Sequence, residues 1–348
     1  MNPKMKEVPM LKWKGPLEGG ITQSLLSKYL ECPYRFYLYA GLGLEEPGEP
    51  EPNLIWGDVC HKGLELLIEK KWEKAEFTPE DWEEIYEGVE EHIKSDWPEA
   101  PITFLPSIKQ MLTLYNDEYK QTYGEFITEN KFQVEHTTPN GNLVSLRGKA
   151  DGWNQEHKVL VEHKCKGKID IQQTMRETPT DLQVNVYSYV LGTRTIIYDL
   201  IRIPDTQWSL PPKRQYENPV SYIKSLYDKR EWGDYPIFTK KHKWIQQMII
   251  ELNDSSIQQV MEETINPLID KLCVYWDYVN QPGFDHDDPK WYNHIFYKTP
   301  IRHFDPSRTQ SYKCSYWNLL TDSIDISDLV PVKSFYAELD EQKANHAT

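Results

Sequence analysis

Several features that would define a protein class are scarce or missing in this 348-residue chain. Its five cysteines, Cys32, Cys60, Cys165, Cys273 and Cys314, are scattered and odd in number, and no CxxC pair occurs. That excludes a disulfide framework and a zinc ribbon, and leaves free thiols in a reducing compartment as the expectation. No apolar run approaches the ~20 residues that a membrane-spanning helix needs. Met1 to Lys14 carry lysines but no apolar stretch, so no secretory signal is read there and a cytoplasmic location is expected. No Gly-x-x-x-x-Gly-Lys phosphate loop is present, which rules out an ATP motor within the chain, and no Gly-x-Ser-x-Gly elbow points to an α/β hydrolase. Positive charge is also short: 39 Lys and Arg stand against 54 Asp and Glu, a net −15. A polyanion partner requires local rather than total positive charge, so the distribution matters. Acidic residues crowd 65–99, as on a solvated helical face. The stretch 213–244 instead carries Lys213, Arg214, Lys224, Lys229, Arg230, Lys240, Lys241 and Lys243 among Tyr216, Tyr222, Tyr227, Trp232, Tyr235 and Trp244. Such spacing can follow a phosphate backbone and stack bases, although a mixed surface with some core aromatics has the same composition.

What remains is the composition of a globular protein, 39% hydrophobic and 27% charged. Residues 1–20 read as a loose tail, 21–325 as one domain and 326–348 as a second tail. Within the domain, 21–125 read as helical, 126–205 as an α/β core, and 206–325 as a helical, basic return segment. Thr22 is placed to cap a helix through Leu30 that Pro33 interrupts, and further helices are expected over about Trp56–Lys74, 80–95 and Ser107–Tyr123. From Phe132 the period becomes two. Strands are expected over Phe132–His136, Leu143–Ala150 and Lys158–Lys164, with Asn140-Gly141 turning the first pair. Thr178 and Pro179 are read as the start of a helix ending near Gly192, followed by a strand over Thr195–Ile203 and then more helices. The fold class is therefore α/β: a mixed central sheet flanked by helices, with helical additions at both ends.

The third strand, Val159-Leu160-Val161-Glu162-His163-Lys164, carries the chemistry. Alternation puts Glu162 and Lys164 on one face and Val159, Val161 and His163 on the other. A carboxylate can hold a hard cation, and an ammonium one pleat away can orient a water and offset phosphate charge. The second strand runs into Asp151, and the short turn between the two strands brings Asp151 near Glu162. Two carboxylates converging at a sheet end can make a magnesium site; two half-exposed strand charges would read the same way from these residues alone.

Gly148-Lys149-Ala150-Asp151-Gly152 followed by Val161-Glu162-His163-Lys164 resembles the signature of the PD-(D/E)xK nucleases. Four further features resemble the RecB-like branch of that superfamily, which includes the AddB-type and CRISPR-adaptation exonucleases. Gly57-Asp58-Val59-Cys60-His61-Lys62-Gly63-Leu64-Glu65 is similar to its Gly-x-x-x-His-x-x-Leu-Glu helix, whose histidine is a metal ligand. Gln183 and Tyr187, four apart on one helix face, are similar to its Gln-x-x-x-Tyr motif. Thr22-Gln23-Ser24 leading to Cys32-Pro33-Tyr34-Arg35-Phe36, and Cys314-Ser315-Tyr316, resemble the elements that carry iron–sulfur ligands in that branch. Together these matches run from Thr22 to about Leu320, in the family's order.

The resemblance implies a restriction-endonuclease-like core and a metal-dependent DNA nuclease, an exonuclease of DNA processing or recombination. It implies Asp151, Glu162 and Lys164 as catalytic residues with Gln183 and Tyr187, and His61, Asp151, Glu162 and the His163 backbone carbonyl as ligands of Mg2+ or Mn2+. Gln183 and Tyr187 would hold the DNA strand, and Lys166 and Lys168 are placed to meet its phosphates. Any helicase or recombination partner would be a separate chain, and a version without a helicase would suit a phage or mobile element. The alternatives are a catalytically inactive relative that binds DNA or a recombination partner, and a protein-interaction module that reuses the fold, which the −15 charge favours.

Four cysteines normally hold an iron–sulfur cluster. Cys32 and Cys314 match two of them, but Ser311 and Leu320 occupy the positions of the others, so no cluster is expected. The two ends of the domain are expected to meet instead through Tyr34, Phe36, Tyr316 and Trp317. Asp285-His286-Asp287-Asp288 lacks calcium-loop spacing and reads as a solvated loop.

Overall fold

The structure is a computed structural model that describes residues 13–45, 52–73, 76–98, 105–118, 126–203, 244–282 and 330–331. The helices are α1 (Gly15–Glu18), α2 (Gln23–Glu31), α3 (Pro33–Phe36), α4 (Pro52–Glu73), α5 (Pro79–Asp96), α6 (Leu105–Glu118), α7 (Ile171–Glu177), α8 (Leu182–Leu191), α9 (Asp254–Val260) and α10 (Asn266–Val279). The strands are β1 (Leu44–Glu45), β2 (Ile127–Thr137), β3 (Leu143–Asn154), β4 (Val159–Lys166), β5 (Thr195–Arg202), β6 (Ile245–Glu251) and β7 (Val330–Pro331). The order β2-β3-β4-β5-β6 makes one mixed five-stranded sheet, and β1 pairs with β7. The α/β reading holds. The basic stretch 213–243, the acidic loop at 285–288, Cys314, Tyr316, Trp317 and both tails except the segment 13–20 and the pair 330–331 lie outside the described residues.

The chain divides into two compact units: Met1–Glu49 with Phe132–Gly148 and Gln259–Thr348, and Pro50–Lys131 with Lys149–Gln258. In the first, the Thr22 hydroxyl caps α2 by accepting the Leu25 amide, as expected, and the Cys32 sulfur accepts the Arg35 amide at the start of α3. Ile21 donates to the Ser145 carbonyl and its own carbonyl accepts the Arg147 amide, so the entry to α2 runs parallel to β3. Phe36 packs edge-on against Trp13, Tyr29 and Tyr275, at 5.5, 5.5 and 5.2 Å.

The second unit holds α4, α5 and α6, most of the sheet, and α7 and α8. On α4, Trp56, Val59, Cys60, Leu64 and Leu67 recur at helical spacing and are buried. They share a core with Ile85 and Val89 of α5, Ile108 and Leu112 of α6, and Ile201 and Ile245 of the sheet. A fully buried leucine such as Leu64 contributes about 2 kcal/mol through its burial. Thr78 and Asp81 form a reciprocal capping box at the start of α5, with Pro79 in its first turn.

Several boundaries differ from the sequence expectation. β4 begins at Val159 rather than Lys158, because Lys158 closes the turn with φ +52°, a left-handed backbone outside the extended range of a regular strand. Thr178–Thr180 form only a single 3-10 turn; α8 starts after Asp181, whose carboxylate accepts the Val184 amide, and ends at Gly192 with φ +66°. β6, read from sequence as part of a helical segment, pairs antiparallel with β5 from Ile201↔Ile245 to Thr195↔Glu251.

Candidate active site

The candidate metal, catalytic and DNA-contacting residues, from His61 on α4 to Tyr187 on α8, all fall within the second unit, whereas Cys32, Tyr34 and Phe36 belong to the first. β3 and β4 are paired antiparallel from Asn154↔Val159 to Gly152↔Val161. Just past that ladder, the Asp151 carboxylate takes over the role of a strand carbonyl: its Oδ2 accepts the His163 amide at 2.7 Å. Its Oδ1 lies 3.4 Å from Nδ1 of His61, which α4 carries to the same place. Gly57, one turn earlier on α4, faces the Cys165 Cβ, where an added Cβ would sit at ordinary contact distance of 3.6 Å. The first residue of the Gly-x-x-x-His pattern thus faces β4, at a spacing that an added side-chain carbon would also fit.

Alternation along β4 separates two groups. His163 turns toward α4 and α6. Its ring centre is 5.9 Å from that of His61 and 6.0 Å from that of Tyr115, and its Nε2 is 3.4 Å from Asp199 Oδ2. Donor atoms of His61, Asp151 and His163 all lie within 4.8 Å of one another. The sequence reading assigned His163 through its backbone carbonyl; the structure brings its ring nitrogen to the cluster as well. On the other face, Glu162 is fully buried and its Oε2 accepts from Lys164 Nζ at 3.0 Å and Gln183 Nε2 at 2.7 Å. Lys164 Nζ also donates to Gln183 Oε1 at 2.6 Å, closing a triangle of three side chains. Glu162 Oε1 is buried with no hydrogen-bond partner.

Tyr187, one turn beyond Gln183 on α8, is tied to the strand: its hydroxyl donates to the Lys149 carbonyl at 3.0 Å and accepts the Lys149 amide at 3.3 Å. It thereby steadies β3 two residues before Asp151. Lys166 is half-buried at the end of β4 and Lys168 is exposed.

The electrostatics follow from burial and neighbours. Burial pushes the Glu162 carboxyl up, Lys164 counters, and Asp151 pushes it further, to about 7. Burial opposes charge on Asp151 too, but His61, His163 and Lys164 outweigh it and hold that carboxyl well below the usual range. Burial likewise opposes a charged His61, and the Asp151 carboxylate overcomes it, raising the imidazole well above its ordinary value. Lys164 is raised against burial by Glu162 and Asp151, so it stays an ammonium.

Sequence reasoning missed Asp199 and the thiols. Asp199 is a lone carboxylate in the apolar run Ile196-Ile197-Tyr198-Asp199-Leu200-Ile201; it is fully buried, accepts from Tyr115 Oη at 2.6 Å and Gln247 Nε2 at 2.8 Å, and backs His163. A carboxylate at such a position was itself the available signal. Cys60 and Cys165, read from sequence only as free thiols, hydrogen-bond to one another beside His61; that bond draws the Cys165 thiol down against burial, with help from His61, to about 6.

The family model of the PD-(D/E)XK nuclease superfamily matches residues 21–270. The chain belongs to that superfamily, and its five-stranded mixed sheet flanked by helices is the restriction-endonuclease-like core. No curated protein sequence matches it. Two solved structures are similar. One is SSO0001, with 14% identity, covering 63% of this chain and 81% of that one. The other is a phage-related exonuclease from Haemophilus somnus 129PT, with 11% identity, covering 62% of this chain and 95% of that one. Both have a TM-score of 0.28, at which neither adds to the family match. Among the described residues no helix is long and apolar enough to cross a membrane.

Proposed function

We propose that this protein is a divalent-metal-dependent deoxyribonuclease of the RecB-like branch, an exonuclease that hydrolyses phosphodiester bonds in DNA processing or recombination. The observation that carries this reading is Glu162: a fully buried carboxylate fixed by Lys164 and Gln183 through one oxygen, with the other oxygen unpartnered. A buried acceptor without a partner costs about 1–3 kcal/mol, and a cation would relieve it. Carboxylate and carbonyl oxygens suit Mg2+ or Mn2+ and imidazole suits transition ions, so the residues fit a divalent ion, and of these two the transition ion Mn2+ matches the mixed set better. His61, Asp151 and Glu162 would hold it, with the His163 backbone carbonyl as a further ligand; Glu162 would reach it from the other face of β4, outside the His61–Asp151–His163 group of donor atoms.

Such an ion, when bound, acidifies a coordinated water and offsets charge on the scissile phosphate. Lys164, kept charged by its two carboxylates, donates to the attacking water and to the charge developing on the phosphate. Gln183 holds Glu162 and Lys164 in register. Tyr187 braces β3, and Lys166 and Lys168 meet phosphates of the strand. The substrate is DNA, any helicase is a separate chain, and a phage-encoded protein acting in the host cytoplasm is compatible with this role.

The test is incubation of end-labelled linear and covalently closed circular DNA with Mg2+ or Mn2+, beside EDTA and Glu162→Ala. Metal-dependent loss of the linear form, absent in the variant, is expected, and survival of the circle identifies an exonuclease. Folded protein that binds DNA without cutting either form would show instead the inactive, binding relative.

A further inference from the structure

β4 and β5 run parallel, with Glu162 beside Tyr198, Lys164 beside Leu200 and Lys166 beside Arg202. Paired residues share a sheet face, so Arg202 stands on the face that carries Glu162 and Lys164. Two residues of strand advance about 6.6 Å, so the Lys166–Arg202 row lies one pleat beyond the Lys164 ammonium. At that end is a cavity of about 410 Å³, lined by Lys168, Asp170, Ile171, Arg202 and Gln246 among others. Its size falls in the range of small-ligand sites.

Arg202 is unusual in its surroundings. Its guanidinium carbon lies 5.4 Å from the centre of the Trp244 ring, which is itself buried and holds the side chain from one side. Its Nε is buried and has no hydrogen-bond partner among the described residues. A buried guanidinium donor calls for an anionic acceptor, and the planar fork of arginine matches phosphate in two-point contact. Lys168 adds a second cation. The one carboxylate among the described lining residues, Asp170, accepts the Gln173 amide at 3.0 Å. Gln246 and Gln172 supply neutral donors and acceptors suited to a sugar or a base edge.

We propose that this cavity is a nucleotide subsite, which takes the phosphate next to the scissile bond on Arg202 and Lys168 and so sets where along the strand the enzyme cuts. The proposal rests on the nuclease reading above. Arg202 acts here as a strand-binding residue, not as a participant in hydrolysis.

The probes are short end-labelled single strands in which one neutral methylphosphonate replaces successive linkages in turn. Binding is followed in EDTA by fluorescence anisotropy, and cleavage separately with Mg2+. For the wild type, neutralising one particular linkage beside the cut is expected to weaken binding about tenfold, as loss of a charge-assisted hydrogen bond does. Arg202→Gln should weaken binding of the all-phosphate strand about tenfold while losing its sensitivity at that linkage alone, and should raise KM with kcat little changed. Lys168→Gln, at an exposed position whose folding is safe, should blunt the same linkage and no other. An Arg202→Gln or Lys168→Gln profile that keeps the wild-type dependence on every linkage overturns the subsite while leaving the nuclease standing. Wild-type protein that cuts no DNA overturns the nuclease reading, and the subsite with it.

Discussion

The Asp151 carboxylate accepts the His163 amide at 2.7 Å, immediately beyond the last backbone pair of β3 and β4, Gly152↔Val161. A side chain thus completes a strand ladder and in the same contact aims its other oxygen at His61. Position and charge of the carboxylate are separable in this arrangement. Asp151→Asn keeps an oxygen for the amide and should melt within a few degrees of the wild type while losing cleavage. Asp151→Ala also strands the amide and should cost about 1–3 kcal/mol in denaturant unfolding. Equal stability of the two variants would show that the bond contributes nothing to the fold.

The Glu162 carboxyl, pushed by burial to about 7 from an ordinary 4.5, has a definite signature in metal-free protein. Its folded pKa lies above its unfolded one, so its contribution to stability is fully present below about 4.5 and is lost as pH rises through about 7. The loss is on the order of 3 kcal/mol. Asp151, held low, has the opposite sign and loses its contribution only in acid, below its unfolded value of 3.8. In EDTA, urea midpoints should therefore fall between pH 5 and pH 8 in the wild type and fall less in Glu162→Gln, where the raised His61 still gives a decline above its unfolded value of 6.5. Parallel pH profiles for the two proteins would refute the assignment.

Divalent metal should reverse that weakness. A ligand at a hundred times its Kd stabilises the folded state by about 2.7 kcal/mol, so Mn2+ should raise the melting temperature of the wild type by several degrees. His61→Ala and Glu162→Gln should each abolish most of the rise. This is read by calorimetry without any substrate, and an undiminished rise in both variants would place the ion elsewhere.

Asp199 supports the site from behind. Asp199→Ala leaves the Tyr115 hydroxyl and the Gln247 amide without their buried acceptor, which should destabilise the protein by about 2–4 kcal/mol. Tyr115→Phe, which removes one donor to the carboxylate, should cost about 1–3 kcal/mol. Chemical denaturation of the three proteins at pH 7 measures both, and a change under 0.5 kcal/mol in Asp199→Ala would mean that the network relaxes freely.

Much of this site was legible from local pattern. The two-residue period of β4 put Glu162 and Lys164 on one face, and the short turn at Asn154–Lys158 required Asp151 to lie nearby. The apolar spacing of α4 predicted a helix carrying His61. Other parts were not legible. In β6, Ile245, Met248, Ile249 and Ile250 fit helical spacing as well as strand alternation, and only pairing with β5 resolved the ambiguity. Thr178 and Asp181 are both good caps for a following helix; the chain uses Asp181 for α8 because Thr178 and Pro179 are taken up in a 3-10 turn.

Sequence alone determined the spacing of Asp151, Glu162 and Lys164, because strand period and turn length leave those side chains few places to go. Tertiary structure decided what meets them. His61 reaches Asp151 only because the apolar face of α4 must bury itself against the sheet. Gln183 reaches Glu162 because α8, set by its Asp181 cap, offers a buried carboxylate a neutral donor. The phosphate-facing role proposed for Arg202 depends on the parallel register of β4 and β5. Those are long-range contacts, won by burial and by satisfying polar groups away from water, and no local pattern encodes them.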